Sequence, residues 1–507
     1  MVIAPHGLTA RAARAAVVAG EVSAEELVGS CLGQVERVDP KVNAMVTVAA
    51  ERAMTEAAEL DRELRRHGPG SMRRAAALDE RPLLALPVAV KDLQATAGIR
   101  TTLGSAEFAD NVPDTDSGIV ARVRAAGGII IGKTNIPERS IGANTVNRLF
   151  GATGNPFDPT LTCGGSSGGS AVALATDMAP LATGSDHGGS LRIPASYCGV
   201  VGFRATPGVV PFEERAISQT FYSVQGPMAR TVDDLALLLS VIAARDVPGI
   251  PSDPMAFPLD AAALADLDDV DLGSLRIGVS ADLGGVLVSS SVRAEFDRRV
   301  AWLFDRAAAC VEVDLDLRDT TEVDWRLRAD IFATYYHREA EGWDEGFNPN
   351  IRASYETAMA APEAEIAAAR VRQMELIRAT GSAIAAADVD VIICPGVSVA
   401  PFPWRRLYPT EIDGAPVDNY MAWLTLTAAW TVVGHPVVAL PAGSDAAGLP
   451  FGIQVVGYRY RDRRLLSVAR ALETAWVGTE FARPRPDLEA LAATDVDLGP
   501  DSTAGMF

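Results

Sequence analysis

Apolar residues recur at helical spacing early in the chain. From Ser23 to Val38, the residues Leu27, Val28, Cys31, Leu32 and Val35 share one helical face. Ser23, with Glu26 three residues later, reads as a capping box. Residues 1–66 read as helical. The stretch 67–81 (HGPGSMRRAAALDER) carries loop signals. Beyond it, compact apolar runs alternate with amphipathic stretches. Residues 86–90, 129–131, 200–203, 276–279, 390–394, 436–440 and 452–456 predict buried strands. Residues 116–126 predict a helix. Thr231 with Asp234 caps another helix, which carries Leu235, Leu237, Leu238 and Val241. This alternation predicts an α/β fold with helices on both faces of a sheet. Residues 246–273 are rich in Pro and Asp and read as a surface excursion. No internal repeat breaks the chain. It divides into a helical segment (1–66) packed on the core, a single domain (67–483) and a flexible tail (484–507) without periodicity.

Composition narrows the function. The 507 residues carry a net charge of −20. Nucleic acids and anionic membranes both require a basic face, so neither is an expected partner. No run of 18 apolar residues predicts a membrane span, and the first twenty residues lack a signal-peptide core, so a cytoplasmic location is expected. Cys31, Cys163, Cys198, Cys310 and Cys394 are scattered, with no CxxC, and there is no HExxH. No metal or cofactor is implied. Only three of the 45 basic residues are lysines: Lys41, Lys91 and Lys133. Arginine stays protonated at any usable pH, whereas a desolvated lysine can release its proton. Each lysine is therefore a candidate for chemistry.

Two loops concentrate glycine and serine. Residues 163–170 read CGGSSGGS, and residues 184–195 read GSDHGGSLRIPA. A phosphate loop would need GK[ST] directly after the glycines, and none is present. The first loop matches GxSxG on Ser166 and on Ser167, but its lead-in (NPFDPTLT) is turn-rich, where a nucleophile elbow needs an apolar strand. No SxxK surrounds Ser166, Ser167 or Ser190. In the second loop, successive glycine N–H groups before Ser190 can converge on one oxyanion. Lys91, closing the run LPVAVKDL, adds a base to two serine loops, and serine needs such a base to act as a nucleophile.

These segments resemble the amidase signature family of serine hydrolases. The likeness runs from about Leu8 to Glu473. It takes in VNA at 42–44, LPVAVKD at 86–92, GKTN at 132–135, GGSSGGS at 164–170 and GSDHGGSLRIPASYCGVVGFRAT at 184–206. It continues through GPMAR at 226–230, GHP at 434–436 and PFGIQ at 450–454. TPGVVP at 206–211 departs from the expected TxGRVP. The resemblance implies a large mixed central sheet covered by helices on both faces, with an N-terminal helical segment. It also implies a Ser–cis-Ser–Lys triad. Ser190 would be the nucleophile, Ser166 the bridge on a cis peptide bond, and Lys91 the base. Backbone N–H groups of His187, Gly188, Gly189 and Ser190 would form the oxyanion hole, and Ser167, Asp186 and Arg192 would support the loops. Residue 187 is expected to be small or β-branched, so the His187 ring is expected to shape the pocket. Lys133 is expected in a structural βα turn, and Lys41 on the surface.

The implied activity is hydrolysis of a linear carboxylic amide, and of esters, through a seryl acyl-enzyme. An apolar or aryl acyl group is favoured over glutamine, because residues 347–356 (FNPNIRASYE) lack an RRI-type basic segment and no arginine pair for a carboxylate is evident. Trp404, Tyr408, Tyr420, Trp423 and Trp430 are either core or pocket wall. One alternative is an amidotransferase component that supplies ammonia. The other is a non-catalytic binding protein on the same fold. The expected partner is a small-molecule amide, and a homodimer is compatible with the reading.

Overall fold

The computed structural model describes residues 3–215, 221–245, 253–343 and 347–507. Its centre is an eleven-stranded sheet. The strands are β1 (Met45–Val48), β2 (Pro87–Lys91), β3 (Ile129–Thr134), β4 (Leu181–Asp186), β5 (Val201–Arg204), β6 (Val224–Ala229), β7 (Arg276–Val279), β8 (Ala309–Glu312), β9 (Val391–Pro395), β10 (Val437–Ser444) and β11 (Pro450–Val456). Their spatial order is β1-β3-β2-β4-β6-β5-β10-β11-β9-β7-β8. Strand β2 runs parallel to β3 and β4, and β7 runs parallel to β8 and β9; the remaining pairs are antiparallel. The sheet is therefore mixed, as expected.

Helices cover both faces, and this explains the strand sequences. Every residue of β2, β3, β9 and β11 is buried. A strand covered on both sides has no solvent face, so it reads as a continuous apolar run instead of an alternation. The Gly168–Ala175 helix packs on β2, β3, β4 and β6, and the Arg192–Cys198 helix on β5, β10 and β11. The capping box at Ser23 is formed in both directions, and Thr231 accepts the Asp234 N–H.

Three sequence expectations change. The N-terminal segment is not wholly helical, because Met45–Val48 forms the edge strand β1 against β3. Much of the expected loop at 67–81 is the helix Met72–Glu80, capped by Ser71. The Gly and Pro signals stop at Gly70, and residues 72–80 (MRRAAALDE) are rich in helix formers. The segment expected to be a flexible tail is packed down. It holds a Leu488–Ala492 helix, and Leu498 is buried with Val146, Ala152 and Trp404. Lys41 donates to the Thr494 carbonyl at 2.6 Å, so this lysine anchors the C-terminal segment and is only partly exposed. These contacts use single apolar residues on an irregular backbone, which leaves no period to read.

Part of the expected surface excursion, 246–252, lies outside the described residues. The rest includes a short turn at Ala262–Ala265, whose Leu264 is buried against the Val232–Ile242 helix.

Candidate active site

Lys91 is the last residue of β2, and Asp186 the last of the neighbouring parallel strand β4. The carboxyl ends of adjacent parallel strands open onto a common crevice, where an α/β sheet places its chemistry. Lys91 is fully buried. Its Nζ lies 2.8 Å from Ser166 Oγ, 3.0 Å from Ser167 Oγ and 2.8 Å from Ser185 Oγ. Three hydroxyls and no carboxylate contact the amine. Burial pushes its pKa down to about 7, and the nearby Asp186 charge opposes this only in part.

The two serine loops meet beside this amine. The Gly165–Ser166 peptide bond is cis. The Ser167 N–H donates to the Ser190 carbonyl at 3.2 Å, tying one loop to the other. Gly169, at the start of the next helix, must be glycine, because a Cβ there would stand 2.4 Å from the Asn135 backbone nitrogen and 2.7 Å from the Ala44 carbonyl oxygen. Ser170 points away from the crevice, to Thr134 Oγ1 and the Thr183 carbonyl.

The second loop is built around Asp186. Its carboxylate accepts two hydrogen bonds from Arg192, at 3.0 and 2.9 Å, and one from Arg204 at 3.3 Å. All three side chains are buried. Burial alone would raise the Asp186 pKa, but the two guanidiniums outweigh it and hold the carboxyl below the usual carboxylate range. Asp186 also accepts the backbone N–H groups of Gly189 and Leu191, both at 3.1 Å. This changes the expected oxyanion hole. The Gly189 N–H is directed to Asp186, which leaves those of His187, Gly188 and Ser190 as the candidates. Gly189 has φ +127°, and a Cβ there would meet Thr427 Oγ1 at 2.4 Å.

Ser166, Ser190, His187 and Gly188 line one cavity of about 400 Å³, a size that suits a small organic ligand. Its walls are largely apolar: Ile141, Ile193, Ile331, Phe332, Tyr336, Tyr420, Met421 and Leu424. Of the five aromatics singled out in the sequence, only Tyr420 reaches this cavity. Trp404, Trp423 and Trp430 are core. Two arginines also line the cavity, a pair the sequence did not reveal. Arg139 is ion-paired to Glu107 and Glu339, and Arg328 lies 3.7 Å from Asp324 and bonds the Tyr420 hydroxyl.

Lys133 is equally buried, and burial lowers its pKa to about 7 as well, with Asp92 opposing. Its Nζ is held by the Gln94 carbonyl, Thr96 Oγ1 and Thr101 Oγ1, and it touches no cavity serine. It is structural, as expected, but it lies on strand β3 and not in a turn. His435 bonds the Gly457 carbonyl and does not line the cavity.

The Amidase family profile matches residues 26–466. The chain belongs to the amidase family. An acylamidase of Rhodococcus erythropolis is 30% identical to it over 489 residues, covering 92% of this chain and 95% of that protein. The amidase subunit of a glutamyl-tRNA(Gln) amidotransferase from Picosynechococcus sp. is 33% identical over 494 residues, covering 91% and 96%. Among solved structures, a bacterial aryl acylamidase superposes with a TM-score of 0.82 at 25% identity, covering 96% of this chain and 99% of that one. The chain is accordingly a hydrolase of linear amides with the amidase signature fold.

In this amidase several site residues had no sequence signal. Ser185 is the third hydroxyl on Lys91, and only the pairing of β2 with β4 brings it there. Gln94 lines the cavity and bonds the Gly184 carbonyl and Gln225. Gln454, within the matched PFGIQ segment, accepts from Arg192 at 2.8 Å and donates to the carbonyls of Pro395 and Leu426. The amidase thus uses a distant motif to hold the arginine that holds Asp186. Among the described residues, no helix is long and apolar enough to cross a membrane.

Proposed function

We propose that this amidase hydrolyses an amide, or an ester, with an apolar or aryl acyl group, through an acyl-enzyme on Ser190. One observation carries the reading: a buried lysine with its amine on Ser166 Oγ, beneath an apolar cavity that Ser166 shares with Ser190. Neutral Lys91 takes the proton of Ser166 as Ser166 takes that of Ser190. Ser190 Oγ bonds to the carbonyl carbon, and the resulting oxyanion accepts from the backbone N–H groups of His187, Gly188 and Ser190. The relay then returns a proton to the amine nitrogen, the carbon–nitrogen bond breaks, and the amine leaves. Water repeats the attack, releasing the carboxylate and restoring Ser190. Ser167, Asp186 and Arg192 orient the loops. Location in the cytoplasm and a homodimeric state belong to this proposal.

The identity to an amidotransferase component favours glutamine as a second substrate reading. The cavity argues against it. An α-carboxylate needs an available cation, and Arg139 and Arg328 both already face carboxylates. A panel of amides and esters of graded acyl size, with glutamine among them, tests the choice. Turnover of apolar or aryl acyl amides, together with fluorophosphonate labelling lost in Ser190→Ala, is expected. Glutamine as the best substrate would overturn the acyl reading, and labelling that persists in Ser190→Ala would overturn the nucleophile.

A further inference from the structure

His187 replaces the small residue expected beside the two glycines, and its ring is held from two sides. Nδ1 lies 3.1 Å from Ser223 Oγ. Nε2 lies 3.5 Å from Asp324 Oδ1. The ring also packs edge-on against Tyr222, with centroids 5.4 Å apart. A neutral imidazole carrying its proton on Nε2 satisfies both polar neighbours, donating to the carboxylate and accepting from the hydroxyl.

Asp324 belongs to the Thr320–Tyr336 helix and is 1% exposed. Neither of its oxygens accepts a close hydrogen bond among the described residues. Its charged or ionisable neighbours are the His187 ring and Arg328, one turn further along the helix with Nη1 at 3.7 Å. A buried carboxylate requires such partners. Arg328 and Phe332, at the next turn, both line the substrate cavity. Residues at i, i+4 and i+8 share a helix face. One face of this helix therefore runs from the oxyanion loop to the cavity wall.

We propose that His187 is a positioning residue, whose ring, tethered to Asp324 and Ser223, aims the backbone N–H groups of the 187–190 loop at the substrate carbonyl. The helix that walls the acyl pocket thereby also sets the oxyanion geometry. The proposal rests on Ser190 as the nucleophile. The interaction strengthens only when the oxyanion forms, so its loss falls on kcat. Small misplacements of such donors carry losses of about tenfold to a hundredfold.

The test measures kcat, KM and fluorophosphonate labelling rate in His187→Ala, His187→Gln, Asp324→Asn, Asp324→Ala and the double alanine variant. His187→Ala and Asp324→Ala should each lose about tenfold or more in kcat with KM within about threefold. The double variant should be no worse than the more impaired single, because both remove one interaction. His187→Gln, which restores a donor at the Nε2 position, and Asp324→Asn, which is isosteric and keeps an acceptor, should recover to within about threefold of wild type. Unchanged kcat in His187→Ala, a loss confined to KM, or multiplicative losses in the double variant would each overturn the proposal. Labelling of Ser190 in these variants, with its absence in Ser190→Ala, separates failure of the positioning role from failure of the nucleophile.

Discussion

The strongest demand on the mechanism is that Lys91 be neutral at working pH. An ordinary lysine, at 10.5, is protonated at pH 7 in all but about one molecule in three thousand. Burial of Lys91 lowers this to about 7, where about half the molecules carry a free amine. The shift corresponds to about 5 kcal/mol against the charged form. kcat/KM should therefore rise about tenfold per pH unit up to about pH 7 and then level, so that turnover at pH 5 is about a hundredth of the plateau. Lys91→Met keeps the volume and removes the base. It should lose the rising limb and fall by about 10²–10⁴. Stability carries the same signature with its own sign. Between about pH 7 and 10.5 the unfolded chain holds a proton that the folded chain has released, so this group's contribution to stability rises with pH across that window, and its penalty is complete below pH 7. The assay is a pH–rate profile on one amide, with circular dichroism at each pH to show that the enzyme stays folded. A flat profile from pH 5 to 7, or Lys91→Met retaining a tenth of wild-type turnover, would refute the reasoning.

Two other expectations concern the supports of the site. Asp186→Asn leaves Arg192 and Arg204 buried without their anion, so urea unfolding should register a loss of about 3–5 kcal/mol, and a loss below about 1 kcal/mol would contradict the role assigned to the carboxylate. A chain ending at Arg483 loses the buried side chains of Leu491 and Leu498, each worth about 1.5–3 kcal/mol. Its Tm should drop by several degrees, and an unchanged Tm would return the segment to the status of a tail.

What the sequence could convey depended on how each feature is encoded. Strands β2, β3 and β9 were legible because a strand buried on both faces must be apolar at successive positions. The loops at 163–170 and 184–190 were legible because close backbone approach restricts the residue type, as at Gly169. Ser185 was not legible. Nothing in its neighbours distinguishes it from a turn serine, and its contact with Lys91 arises only from the register of β2 against β4. Arg139 and Arg328 were hidden among many arginines for the same reason, and their carboxylate partners Glu339 and Asp324 become visible only once the helices are placed. The C-terminal segment was misread because isolated contacts such as Leu498 against Trp404 leave no periodic trace.

The scarcity of lysine gave a shortlist, and the fold decides among its members. Lys91 and Lys133 lie at the ends of adjacent strands, are equally buried, and are both pushed down to about 7. Titration therefore cannot distinguish the base. Their contacts can. The Lys133 amine is spread over one backbone carbonyl and two threonine hydroxyls, and it holds the turn that carries Gln94. The Lys91 amine meets three serine hydroxyls, one of which shares a cavity with Ser190. A perturbed lysine becomes a base only where a group that must lose a proton stands within hydrogen-bond reach. Arginine could not serve at position 91, because a guanidinium does not release its proton at usable pH, and three hydroxyls provide no carboxylate to balance a buried charge. The same absence of a carboxylate around the amine that makes Lys91 costly to protonate makes it able to accept the proton of Ser166.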